Sequence, residues 1–196
     1  MQSDAASPKP DLLSQLREAT GPSHERLDAS FGSLDLARRH DLARFLAAHA
    51  IGLAPLFPVF RAFVEGELGL SCPDYPAMLA EDLAALGVDA QALPVLDVPA
   101  AIAPPEAAAG VGYVICGSRL GLAMIRQRGY WGEAEGFRSA YMTDGRGHEA
   151  WKALVPHLRG RAPADATTPR DAALAAFDTF SAAFAASAGV RQPADG

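Results

Sequence analysis

Cysteine, β-branched residues and charge are all scarce in this chain, and each shortage removes a class of protein. Cysteine occurs only as Cys72 and Cys116 among 196 residues. Two thiols cannot build a disulfide framework, and both are expected to stay reduced, as in a cytosolic protein. Valine, isoleucine and threonine are few beside alanine and leucine, which favours helix over strand. Charged residues make up 20% and hydrophobic residues 49%, a globular rather than a disordered composition. The net charge of −6 lacks the basic field that a general nucleic-acid binder needs. Met1 to Pro10 is polar and has no apolar signal core. The longest apolar stretch, residues 110–125, contains Arg119 and is short and glycine-rich for a bilayer span. The expectation is a cytoplasmic protein with no nucleic-acid and no membrane partner. An anionic ligand stays open, because a few local arginines suffice to hold carboxylates.

The length suits one domain with a real core. Apolar spacing predicts an all-α fold over residues 11–188, with disordered tails at 1–10 and 189–196. Leu12, Leu16, Ala19, Ser23 and Leu27 recur at three and four and mark a first helix. Pro22 interrupts it, so the helix kinks there or a new one starts. A second pattern from Leu36 includes Phe45, Leu46, His49 and Leu53. Pro55 and Pro58 are expected to break or bend it, with another helix over Val59–Leu68. Met78 to Leu86 predicts a short helix capped at Gly87. Residues 88–105, with four prolines, read as loop. A long helix follows over Glu106–Arg128, then a short one over Glu133–Met142, a turn at Thr143–Gly147 and a helix from His148 to Leu158. Thr168, Pro169 and Asp171 predict an N-cap, a first-position proline and an acidic first turn for the last helix.

Two segments far apart carry chemistry. The first is Leu-Arg-Glu-Ala-Thr-Gly-Pro-Ser-His (16–24). Arg17 and His24 lie close to two turns apart, on one face, roughly 10 Å from one another. A neutral imidazole suits iron and a guanidinium suits a carboxylate. His40, His49, His148 and His157 are rival ligands. No pair of histidines has the spacing of a metal-binding helix, and no Cys/His cluster of the zinc type occurs.

The second segment is Gly-Tyr-Val-Ile-Cys-Gly-Ser-Arg-Leu-Gly (112–121). Gly117 and Gly121 stack on one helical face, with Gly110 and Gly112 before them. A glycine inside a helix costs about 1 kcal/mol relative to alanine, so something needs close approach to this backbone. Either two helices pack tightly here, or a flat ligand lies on the bare main chain. A histidine on one side and bare backbone on the other form a slot for heme. Tyr113, one turn before Gly117, reaches a propionate or simply packs. Arg126 and Arg128 end the helix, where its dipole favours cations in any case.

Together these segments resemble heme oxygenase. Leu16-Arg-Glu-Ala-Thr20 with His24 and Glu25-Arg-Leu-Asp28 is similar to that family's proximal-histidine segment. Tyr113-Val-Ile-Cys-Gly-Ser-Arg-Leu-Gly121 is similar to the distal helix of bacterial members associated with bacteriophytochromes. The resemblance implies the family's single-domain helical bundle, with heme between a proximal and a distal helix. It implies His24 as iron ligand, Arg17 and Tyr113 as propionate partners, and Gly117 and Gly121 as the distal glycines over the heme. Phe177, Phe180 or Phe184 would supply the aromatic wall. The chain departs from the pattern in three places, one being Leu53-Ala-Pro-Leu-Phe-Pro58, which is proline-rich where continuous helix is expected. Ser118 stands where some members have an acid that organises distal water. Residues 171–188 contain no basic residue to hold propionates, so Arg126 or Arg128 is a substitute.

The activity implied is oxidative opening of heme to biliverdin, with release of ferrous iron and carbon monoxide. Heme is then substrate and cofactor together, O2 is the oxidant, and the protein supplies orientation and polarity. The chain has no flavin or dinucleotide motif, so electrons come from an external donor, a ferredoxin or a flavoprotein reductase. A bacteriophytochrome is the implied recipient of biliverdin. A heme carrier or sensor that does not degrade heme is the alternative, and a helical interaction module without heme is a third.

Overall fold

The computed structural model describes residues 10–161 and 166–190. The tail expectations for 1–9 and 191–196 lie outside the described residues, whereas Gly189 closes a 3-10 turn and Val190 packs against the core. Seven α-helices are described: α1 Leu12–Gly32, α2 Arg39–Gly66, α3 Tyr75–Ala85, α4 Ala108–Arg126, α5 Ala140–Thr143, α6 Arg146–Gly160 and α7 Thr167–Ala186. No strand occurs among the described residues, so the fold is all-α.

The packing centres on α7, which rests against α1, α2 and α4. Helix α6 lies against α4 and α1, α3 against α2, and α5 against α3 and α4. Helix α2 is apolar nearly all round because it is enclosed, with Leu42, Phe45, Leu46, Leu53, Leu56, Phe60 and Phe63 all buried. Three helical stretches are long and apolar enough to cross a membrane by length and composition, Arg39–Gly66, Pro105–Arg126 and Thr167–Gly189. The second contains the stretch the sequence suggested was too short for this.

The first two helices run through their prolines, contrary to expectation. Helix α1 is continuous through Pro22, and α2 through Pro55 and Pro58, so no separate helix begins at Val59. Proline removes one hydrogen bond to the carbonyl four residues earlier. At Pro22 that carbonyl belongs to Glu18 and at Pro58 to Ala54, and all four residues are exposed. These positions are open to solvent, which can satisfy a carbonyl left without its donor, and packing of the opposite face holds the helix. Pro55 is buried and lacks this outlet; the burial of α2 against its neighbours has to offset its cost.

Asp11 caps α1 by accepting from the Ser14 N–H at 2.8 Å, and Asp74 caps α3 by accepting from Ala77 at 3.2 Å. Gly87 follows α3 with φ +73°, the left-handed conformation expected there. Residues 88–105 form a loop broken by short 3-10 turns. Glu133–Met142 is not a helix: three glycines with positive φ, at 129, 132 and 136, bend the chain, and only Ala140–Thr143 is helical. The N-cap of α7 is Ala166 rather than Thr168, which places Pro169 inside the first turn. Cys72 and Cys116 are both buried free thiols, and burial pushes them up to about 11 and about 12.

Candidate functional site

Helices α1 and α4 both lean on α6 and α7 but share no extended contact with each other. The gap between them is a cavity of about 400 Å³. Its volume lies in the range of small-molecule and cofactor sites. Helix α1 contributes His24, Leu27, Asp28 and Phe31, and α4 contributes Tyr113, Val114, Gly117, Ser118, Gly121 and neighbours further along. Phe45 and His49 from α2, Trp151 from α6, and Phe177 and Phe180 from α7 complete the wall.

The structure therefore brings His24, Tyr113, Gly117, Ser118 and Gly121 to one cavity. It does not bring Arg17 there: that side chain is exposed and is not part of the wall. Arg126 and Arg128 are likewise exposed and outside it, and no arginine or lysine lines the cavity. Phe177 and Phe180 form the aromatic wall. Phe184 lies outside it, packed on Phe31 at 5.0 Å and under the Arg44 guanidinium at 4.5 Å.

The four glycines of α4 divide into two pairs with different physical causes. A Cβ at Gly110 would collide with the Pro169 carbonyl oxygen, and one at Gly112 would sit 2.6 Å from the Phe63 ring. Those two are glycine because α7 and α2 press against the backbone. At Gly121 an added Cβ meets nothing within 4 Å, and at Gly117 it meets only the Trp151 ring at 3.6 Å. Protein packing does not require glycine at these two positions. They leave backbone bare on the cavity side, at the usual cost of a helical glycine.

Opposite them, His24 Nδ1 is 3.0 Å from Asp28 Oδ2, one turn along α1. A carboxylate on Nδ1 orients an imidazole and leaves Nε2 as the coordinating atom, the usual arrangement around a metal-bound histidine. The edge of the His24 ring faces Phe177, with centroids 5.9 Å apart. No group of three or more histidine, cysteine, aspartate or glutamate side chains able to hold a bare metal ion occurs among the described residues. A ligand that brings its own metal needs only one such imidazole.

The remaining polar groups are few. Ser118 donates its hydroxyl proton to the Ile115 carbonyl at 2.8 Å, so only its oxygen lone pairs remain for the cavity. Tyr113 is half-buried beside Trp151, with rings 6.1 Å apart. His49 is buried among aromatic rings and held neutral: desolvation, partly countered by the Phe45 carbonyl and reinforced by Arg119, pushes it down to about 4. Of the other rival histidines, His40 and His148 are exposed, and His157 pairs with Glu67 at 3.3 Å; none of these three lines the cavity.

The sequence marks His49 only as a rival iron ligand, and it does not mark Asp28, Trp151 or the pair Phe31 and Phe45 as site residues. The His24–Asp28 and Phe45–His49 spacings of four were the available signals. Nothing local marks Trp151, which reaches the cavity by the packing of α6 on α4.

Below the cavity, Arg119 is buried and lies between the rings of Tyr75 and Tyr141, 4.5 and 4.4 Å from their centroids. It donates to the carbonyls of Tyr141 and Asp144 at 2.6 and 3.1 Å. Gly147 is glycine because a Cβ would strike the Arg119 side chain. This arginine ties α4 to α5 and the start of α6.

No protein-family model matches the chain, and no curated protein matches it.

Proposed function

We propose that the cavity binds heme and that the protein opens it oxidatively to biliverdin, releasing ferrous iron and carbon monoxide with O2 and externally supplied electrons. One observation carries this reading. Two segments distant in sequence, chosen for an imidazole and for bare backbone, line opposite sides of one apolar cavity, and the glycines on it have no packing reason to be glycine.

Bound heme would supply both the iron that takes up O2 and the carbon framework that is cleaved. The chain's own residues do the rest. His24 offers Nε2 to the iron while Asp28 fixes the ring through Nδ1. Gly117 and Gly121 let a flat ring approach the α4 main chain, and this closeness restricts which porphyrin edge is reachable. Phe31, Phe45, Phe177 and Phe180 exclude bulk water from the inner wall. Tyr113 places a hydroxyl at the cavity for a propionate. The absence of arginine and lysine from the wall fits propionates directed to solvent rather than clamped.

The electron donor in this reading is a ferredoxin or a flavoprotein reductase, the compartment is the cytoplasm, and a bacteriophytochrome is a recipient for the product. A heme carrier or sensor is the second reading. It is favoured by the Ser118 hydroxyl being spent on its own helix and by the lack of a cationic clamp. Hemin titration followed at the Soret band, then ascorbate or a reductase under air, separates the two. Loss of the Soret band with appearance of biliverdin is expected. A persistent Soret band favours the carrier, and no Soret shift on titration removes both.

A further inference from the structure

The cavity wall holds a second imidazole. His49 is 7% exposed, and its ring is enclosed by Phe45, Phe31, Tyr141 and Phe180 at centroid distances of 4.4, 4.8, 5.5 and 6.0 Å. Its Nδ1 lies 2.8 Å from the Phe45 carbonyl oxygen, one turn back on α2. A carbonyl only accepts, so the proton sits on Nδ1 and Nε2 keeps a lone pair. Among the described residues no hydrogen bond reaches Nε2. An acceptor this deep requires a partner, since leaving it bare sacrifices its hydration.

The other polar groups nearby do not supply one. The Ser118 hydroxyl proton goes to Ile115. Arg119, the cation that acts on His49, donates through one Nη to the Tyr141 and Asp144 carbonyls and is stacked between two tyrosines; its Nε and other Nη have no hydrogen-bond partner among the described residues, and none of its nitrogens bonds to His49. The cavity opens to solvent past His24 and Met124, both exposed, so water reaches the ring. A water there donates one hydrogen to Nε2 and completes its bonds with further waters.

We propose that His49 is a positioning residue that anchors an ordered water in the cavity, accepting one of its hydrogens at Nε2 and leaving the other for a small ligand bound to the porphyrin. The proposal rests on the heme reading above. It assigns to α2 the water-organising role that Ser118 on α4 cannot fill with its own proton.

The test uses the full chain loaded with hemin, reduced and exposed to carbon monoxide as the probe. The C–O stretch is recorded in H2O and D2O for the wild type, His49→Leu and His49→Gln. In the wild type the stretch is expected to shift in D2O, because a water hydrogen points at the probe. His49→Leu should raise the frequency and abolish the isotope shift, and His49→Gln, which retains an acceptor, should restore it. An unchanged isotope shift in all three proteins, or its loss in both variants, overturns the proposal and leaves the heme reading standing. Nitrogen-15 spectra of the wild-type carbonyl complex give a readout independent of any variant. The Nε2 resonance of His49 should sit upfield of a free acceptor, and a free-acceptor position overturns the proposal. Wild-type protein that takes up no hemin overturns both readings.

Discussion

The Nδ1 of His24 and the Oδ2 of Asp28 meet at 3.0 Å across one turn of α1, at the mouth of the cavity. Both side chains are largely exposed, at 59% and 69%, so the pair adds little to stability; in the heme reading it orients the ring. Asp28→Asn should therefore leave the thermal midpoint unchanged within error while weakening hemin binding by roughly tenfold or more. His24→Ala should lose the spectrum of histidine-bound heme altogether. Soret titration and a thermal melt of the same samples check both statements.

The glycines of α4 give opposite outcomes by position. Gly121→Ala adds a methyl group that touches no protein atom, so the ligand-free protein should gain about 0.5–1 kcal/mol from helix propensity. The same methyl projects toward the cavity, so hemin affinity should fall. Gly110→Ala drives a Cβ into the Pro169 carbonyl and should cost about 1–3 kcal/mol whether or not hemin is present. Urea unfolding with and without hemin distinguishes the two. A Gly121→Ala protein that binds hemin as tightly as the wild type would count against bare backbone as the reason for that glycine.

His49 makes stability depend on pH. Its folded value is pushed down from 6.5 to about 4 by burial, so the unfolded chain binds the proton more readily between those limits. Its effect on stability is therefore nil above about 6.5, grows unfavourable as pH falls toward 4, and levels off below. The full difference is on the order of 3 kcal/mol. His49→Phe should flatten this part of the curve of unfolding free energy against pH. An equally steep fall in that variant would assign the dependence to other groups.

Asp82 holds α5 in place from α3. Its carboxylate accepts from the Ser139 hydroxyl and from the Ala140 and Tyr141 N–H groups, the last two at 2.7 and 3.0 Å. Burial raises its pKa in spite of these three bonds, which marks the charge as costly to enclose. Asp82→Ala strands the three donors and should destabilise the fold by about 2–4 kcal/mol. Denaturant unfolding measures this. Hemin binding by the residual folded protein should persist, because Asp82 does not line the cavity.

Much of the site was legible because its cues are local. The apolar spacing of α1 and the paired glycines of α4 each state a helical face within a few turns of chain. Arg17 shows where such reasoning stops. Two turns from His24 puts it on nearly the same face, but the cavity ends before reaching it, and how much of α1 lines the cavity depends on the other helices that build its wall. Pro22 and Pro58 show the converse. Their disruptive chemistry is local, yet exposure of the carbonyls they abandon is a property of the packed molecule, and that lets both helices continue.

The sequence by itself determined an all-helical chain, the imidazole at position 24 and the glycines at 117 and 121, since periodicity and backbone freedom are written residue by residue. Only the tertiary structure decided that Gly110 and Gly112 are glycine for packing, while Gly121 faces open space and Gly117 has room for a Cβ in ordinary contact with Trp151. Only it drew His49 and Trp151 to the same cavity. The physical reason is that steric vacancy and desolvation arise between elements, from which helices touch and which stand apart, and no single stretch of chain encodes that.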